Sequence, residues 1–193
     1  APQESSAERT RLDARRAEAF GRLDRVLAPT RFLRERLLEG GLAAERVELM
    51  ACGIEAADLA ALDAPRARPP GHRERRELRF GYVGGISKHK GVHVLIEAFA
   101  ALRAPARLAL FGDGTDAPYA ARVRAEAAAA GAAWHGRFGA RDLTRVLAAI
   151  DVLVVPSIWP ENAPFVIREA QAARRPVIAS RIGALPERAC ATA

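Results

Sequence analysis

The chain has 193 residues, half of them hydrophobic and 27% charged, which is the balance of a water-facing globular protein with room for one domain and part of another. No apolar run reaches the ~20 residues a bilayer span needs, the opening residues lack the basic flank and apolar stretch of a secretory signal, and Cys52 and Cys190 stand too far apart for metal-ligand spacing. The net charge of +7 admits nucleic acid, an anionic membrane surface or an anionic ligand; arginine is scattered along the whole chain, which reads first as solvated surface, and a reduced, cytoplasmic setting is expected.

Residues 7–23 read as a charged helix, and Arg25 to Ala28 as a short strand. Pro29-Thr30 then turns into a helix through Leu38, with Thr30 as its N-cap and Gly40-Gly41 as its stop. Arg46 to Met50 is a second strand. Two short strands cannot make an independent sheet covered on both faces, so residues 1–62 read as part of a larger α/β domain. Residues 63–77, rich in Pro, Arg and Gly and without hydrophobic periodicity, read as a linker.

From Leu78 the rhythm is regular. Strands are expected at 78–84, 107–111, 132–135, 152–156 and 177–180, and helices at 90–102, 119–130, 142–149 and 164–173. Alternation of this kind predicts an α/β fold, a Rossmann-like parallel sheet with helices on both faces over residues 78–193. Ligands of such sheets bind outside the carboxyl ends of the strands.

Three loops lie at those ends. The first, Gly84-Gly85-Ile86-Ser87-Lys88-His89-Lys90-Gly91, runs from a strand into a helix, where backbone N–H groups and the helix dipole attract anions. Lys88 and Lys90 are the only lysines of a chain holding 30 Lys and Arg, and lysine offers a compact point charge where arginine offers a planar fork. The loop lacks the spacing of a P-loop. The second, Gly112-Asp113-Gly114, also reads as a tight turn capped by Asp113. The third runs from Val154 to Ala170 and holds Glu161 and Glu169, eight residues apart; Pro164 suits a helix start, and the amides near Phe165 and Val166 would form a cradle for an anion or a hydroxyl. Either glutamate alone also reads as a helix cap or a solvent-facing side chain. Together they can present two acceptors to one polyhydroxyl ligand.

These segments, in order, resemble the retaining glycosyltransferases of family 4, also called group 1, which include sucrose synthases and bacterial mannosyltransferases. Val26-Leu27-Ala28-Pro29-Thr30 looks like the family's IAPS segment, and Glu48 to Glu55 like its V-I-P-N-G-V-D. Gly84 to Gly91 is similar to its G-R-x-x-x-x-K-G loop, Gly112-Asp113-Gly114 to its G-D-G, Glu161 and Glu169 to its E-x7-E, and Pro176 to Glu187 to the stretch that follows. The resemblance spans residues 25–187 and implies the C-terminal, donor-binding half of a GT-B glycosyltransferase, preceded by a fragment of the acceptor-side domain. It implies a nucleoside diphosphate sugar, a UDP- or GDP-sugar, as donor, and a hydroxyl acceptor on a sugar or lipid-linked glycan, with no cofactor and no metal. Lys90 and Glu161 become the candidate catalytic residues, with Lys90 on the diphosphate and Glu161 by the transferred hexose. Gly84, Gly85, Lys88, Gly112, Gly114, Asn162, Ala163, Phe165, Val166 and Glu169 become candidate donor contacts, Glu169 on the ribose, and residues 134–138 are implied near the base.

The sequence departs from the family where Gly85 stands for a phosphate-binding arginine and where Arg174-Arg175 precedes Pro176. The family's domain also runs on beyond a position equivalent to Ala193, so the fragment by itself is expected to be inactive. Competing readings are a nucleotide-sugar epimerase or a glycoside hydrolase using Glu161 and Glu169 as an acid/base pair, and a non-catalytic basic module that binds nucleotide or membrane. Hydrolases need carboxylates flanking the scissile bond, which two on one loop–helix element do not suit. Aromatic residues make up 6% of the chain, too few to interleave with the arginines, so nucleic acid is not an expected partner. Peripheral contact with an anionic inner membrane face is compatible with the enzyme.

Overall fold

Strands that must cover both faces of a sheet carry apolar side chains at successive positions, and each neighbour points the opposite way. Residues 108–111, Leu-Ala-Leu-Phe, follow that rule, and so do 152–155, Val-Leu-Val-Val. The computed structural model describes residues 6–54, 62 and 77–190. The linker expected at 63–77 lies outside these residues except for Glu77. The described chain forms two compact units that meet in sequence between Cys52 and Gly53.

The first unit holds helix α1 (Ser6–Gly21), strand β1 (Val26–Ala28), helix α2 (Arg31–Glu39) and strand β2 (Val47–Leu49). The two strands pair in parallel. Ala28, Leu42 and Val47 are buried there, with Phe20, Leu33 and Leu37 packed against them. Thr30 is the N-cap of α2, its Oγ1 accepting the Leu33 amide at 3.1 Å. Gly41, at φ +94°, continues the chain where an L side chain would be strained.

The second unit contains strands β3 (Leu78–Val83), β4 (Ala106–Phe111), β5 (Ala133–Gly136), β6 (Val152–Val155) and β7 (Val177–Ala179). Its helices are α3 (Val92–Ala100), α4 (Ala117–Ala129), α5 (Leu143–Ala149), α6 (Phe165–Ala172) and α7 (Leu185–Ala189). All five strands run parallel in the order β5-β4-β3-β6-β7. Side-chain alternation distributes the core. Tyr82, Leu108, Leu110 and Val154 pack with Val92, Leu95 and Ile96 of α3 and Val123 of α4. Val83, Phe111, Leu153 and Val155 pack with Val146 and Leu147 of α5, Ile167 of α6 and Leu185 of α7. The sheet therefore carries helices on both faces, the Rossmann-like arrangement expected from the sequence. Each buried large aliphatic side chain contributes about 1.5–3 kcal/mol, and the two faces together supply most of the unit's stability.

Sequence order reverses between β3 and β6, because the chain leaves β3 in one direction and returns to its other side after β5. Adjacent loops diverge there and leave a crevice. At the opposite end of the same strand pair, Arg79 clamps Asp151 through Nε to Oδ2 at 3.0 Å and Nη2 to Oδ1 at 2.7 Å. The crevice thus opens from a pair of strands pinned at its base.

Local starts differ from the sequence reading in two places that matter. A helix was expected from Lys90, but Lys88–Lys90 is one turn of 3-10 helix and α3 begins at Val92, because Gly91 between them takes a left-handed φ of +68°. Pro164 is the residue before α6, extended at ψ 114°, and Phe165 and Val166 are the first two helical positions.

Candidate functional site

The loop after β3 and the loop after β6 face each other across the crevice, and backbone contacts bring them close. The Ile158 amide donates to the His89 carbonyl at 2.9 Å. A Cβ on Gly91 would lie 2.0 Å from the Pro156 oxygen, so that approach requires glycine. The loop after β4 braces the first from its other side. The Gly84 amide donates to Phe111 O, and the Ile86 amide to Asp113 O, each at 2.9 Å. Gly112, at φ +144°, would set a Cβ 1.8 Å from Gly84 O. Gly114 would set one 2.4 Å from Ile86 O. These two glycines act by letting backbone meet backbone.

Within this frame the Lys90 ammonium donates to Glu161 Oε1 at 2.7 Å. The Ser157 hydroxyl donates to the same oxygen at 2.8 Å. Side-chain exposure is 31% for Lys90 and 13% for Glu161. A carboxylate so far removed from water needs charged or hydroxyl partners, and it has one of each. The backbone of Glu161 is held separately. Its carbonyl accepts the Ala184 amide at 2.8 Å, and at Gly183, with φ +58°, a Cβ would lie 2.7 Å from the Glu161 main-chain N and O, so that close approach requires glycine.

Tyr82, buried under the first loop, donates its hydroxyl to the Gly85 carbonyl at 2.6 Å. Burial first, then the Glu161 carboxylate and then Tyr119, raise the Tyr82 pKa well above its usual value. In the same layer His93 Nδ1 and the Tyr119 hydroxyl are 2.8 Å apart. Tyr82 therefore stays a neutral donor that fixes the Gly84–Gly85 turn.

A cavity of about 430 Å³ opens next to Gly84 and is lined further by Val83, Phe138, Thr144, Val166 and Glu169. Its volume is in the range of small-molecule sites. Gly84 lines the cavity and also opens the loop after β3. Glu169 stands one turn into α6 and Glu161 in the loop that leads into it, so one element carries both carboxylates. Lys90 and Glu161 are not themselves among the cavity's lining residues.

The sequence candidates thus fall into groups. Lys90 and Glu161 meet directly, whereas Gly84, Val166 and Glu169 bound the cavity. Gly112 and Gly114 support the first loop. Lys88, Gly85 and Asn162 are solvent-facing, Ala163 is half-buried, and Phe165 is 56% exposed. Of the stretch implied near the base, Phe138 reaches the cavity, while Trp134 packs in the layer of α3 and α4 beneath the Arg124 guanidinium. Sequence reasoning missed Ser157, Tyr82 and Gly183. A serine four residues before Glu161 at the end of an apolar strand was the one visible signal, and Tyr82 and Gly183 gave none without the tertiary contacts.

Residues 77–191 match the family described as "Glycosyl transferases group 1", more than half of the chain, and the chain belongs to that family. No curated protein matches it. Solved structures similar to it include HepE of Anabaena, in complex with UDP and glucose, at 21% identity and a TM-score of 0.74 over 97% of this chain and 52% of that one. A glycosyltransferase from Rickettsia africae matches at 21% identity and a TM-score of 0.69, over 83% of this chain and 45% of its own. Sucrose-phosphate synthase from Thermosynechococcus elongatus matches at 24% identity and a TM-score of 0.63, over 95% and 48%. The chain spans about half the length of these proteins. Among the described residues no helix is long and apolar enough to cross a membrane.

Proposed function

We propose that this group 1 glycosyl transferase domain binds a nucleoside diphosphate sugar, and that the protein transfers the hexose to a hydroxyl acceptor with retention at the anomeric carbon, as in family 4. One observation carries the reading. A lysine and a glutamate from the two loops of the strand-order reversal meet at 2.7 Å, and the lysine's loop and the helix after Glu161 contribute Gly84 and Glu169 to the lining of a cavity. The nucleotide complex of HepE supports the choice of ligand class.

In this reading the nucleoside occupies the cavity, with Glu169 accepting from the ribose hydroxyls. The diphosphate lies over the Gly84–Lys90 loop and the first turn of α6, where Phe165 and Val166 present helix N-terminal amides. Lys90 meets the phosphate oxygens, and Glu161 accepts from a hydroxyl of the hexose. When the anomeric C–O bond breaks, its electron pair leaves with the diphosphate. Once the donor is bound, the Lys90 ammonium and the oriented amides stabilise that developing charge, so the reading asks for no metal. The acceptor is a sugar or lipid-linked hydroxyl, which suits glycan synthesis at the cytoplasmic face of a membrane.

Calorimetric titration with UDP and with GDP tests the reading. One of the two is expected to bind, and Glu169→Ala to weaken it more than ~10-fold, the loss expected when a charge-assisted contact is removed. Binding of neither nucleotide, or an unchanged dissociation constant in the variant, would overturn it. Product analysis with a nucleotide sugar separates transfer from epimerisation and hydrolysis.

A further inference from the structure

Thr30 and Ser157 are the buried polar side chains of the described residues, at 0% and 2% exposure. Burying a hydroxyl without a partner is costly, so each must answer to something. Thr30 answers to a helix end. Ser157 answers to a carboxylate, donating to Glu161 Oε1 at 2.8 Å. An alanine at this position would fill the strand end without any polar group to satisfy, and the loop backbone would lose nothing, because the Ala184 amide and the contact with Gly183 hold it independently.

The purpose of the hydroxyl follows from what Lys90 must do. The Lys90 ammonium is shared between two anions if a diphosphate binds over its loop, and its flexible stem lets it move toward the incoming one. Glu161 would then lose one of the two groups that hold its Oε1. A glutamate without anchors samples several rotamers, and ordering them again weakens any contact it makes. No hydrogen bond is made to Oε2 among the described residues, which leaves that oxygen as the acceptor for a ligand hydroxyl.

Building on the nucleotide-sugar reading, we propose that Ser157 is a positioning residue for the sugar-binding carboxylate. Its hydroxyl keeps Glu161 Oε1 tied to the end of β6 after the diphosphate draws Lys90 away, so that Oε2 stays available to the hexose. Ser157 thereby serves the sugar and not the nucleotide, although it touches neither.

The test uses two probe pairs, UDP with UDP-glucose and GDP with GDP-mannose, titrated calorimetrically into the chain and its variants. In Ser157→Ala the nucleotide dissociation constant is expected to stay within about twofold, while that of the sugar nucleotide rises about fivefold, the effect of one hydrogen bond. Ser157→Thr keeps a hydroxyl and is expected to retain the sugar's contribution; Ser157→Val has the same shape without it and is expected to lose it. That pair of equal volume preserves the comparison if the alanine variant is destabilised. Equal losses for nucleotide and sugar nucleotide, no loss in Ser157→Ala, or a valine variant that behaves as the threonine one would overturn the positioning role alone. Failure of the wild-type chain to bind UDP or GDP would instead remove the nucleotide-sugar reading, and this inference with it.

Discussion

Lys90 closes the 3-10 turn after β3 and Glu161 sits in the loop after β6, 71 residues later, yet the ammonium lies 2.7 Å from Oε1. The two meet because β3 and β6 are neighbours at the reversal of strand order. Removing the cation in Lys90→Met leaves a carboxylate of 13% exposure with Ser157 as its remaining partner. Uncompensated buried charge of this kind costs about 1–3 kcal/mol, below the range for fully buried pairs because the lysine is partly wet. Urea unfolding should show that loss, and adding Glu161→Gln to Lys90→Met should recover most of it. A Lys90→Met variant within about 0.5 kcal/mol of wild type would mean the pair behaves as an exposed one.

Gly91 carries the contact between the two loops. Its φ of +68° and the 2.0 Å distance from a built Cβ to Pro156 O oppose any side chain twice over. Gly91→Ala should therefore lower the unfolding free energy by more than ~2 kcal/mol and abolish nucleotide binding even where the variant stays folded, because Lys90 is displaced with it. Circular dichroism and titration on the same sample would check both. Retained binding would show that the loop can reach the ligand without the Pro156 contact.

The parallel sheet was legible because its signal is local: Leu108 and Leu110 turn one way and Phe111 the other, and that alternation needs no partner to be read. Thr30 and Gly40 announced a helix just as directly. The break before α3 was not visible, since Lys90-Gly91-Val92 fits a continuous helix unless one knows that Pro156 crowds Gly91. The pairing of Lys90 with Glu161 was hidden for a related reason. Both were assigned to a ligand from the resemblance, but their contact with each other depends on which strands become neighbours. Ser157 left one faint trace, a hydroxyl four residues before Glu161 at the end of an apolar strand, and only the folded loop brings it back onto Glu161.

Gly85 stands where the family carries a phosphate-binding arginine, and the structure makes the exchange testable. A Cβ there meets nothing within 4 Å, and the Tyr82 hydroxyl uses only the Gly85 carbonyl, which an arginine retains. Gly85→Arg should fold with wild-type stability to within about 0.5 kcal/mol. It should tighten nucleoside diphosphate binding by roughly tenfold through a charge-assisted contact, and leave the free nucleoside unaffected. An arginine that leaves diphosphate affinity unchanged would place the phosphates away from this turn.

Tyr82 gives the loop a dependence on alkaline pH. Burial is the first cause of its raised pKa, followed by Glu161 and Tyr119, so the folded state prefers the neutral phenol more than the unfolded chain does. A group raised in this way contributes stability that is fully present below the unfolded value of about 10 and is lost as pH rises through the folded value. Tyr119, raised mainly by burial as well, adds to the same slope. The unfolding free energy of the wild type should therefore decline from about pH 10 upward. Tyr82→Phe should start lower at neutral pH, having lost the hydrogen bond to Gly85 O, and should decline less steeply, because the phenol that resists ionisation is gone. Urea titrations at a series of pH values, read with tyrosinate absorbance, would follow both effects. Identical slopes in the two proteins would show that the Tyr82 hydroxyl ionises in the folded chain as easily as in the unfolded one.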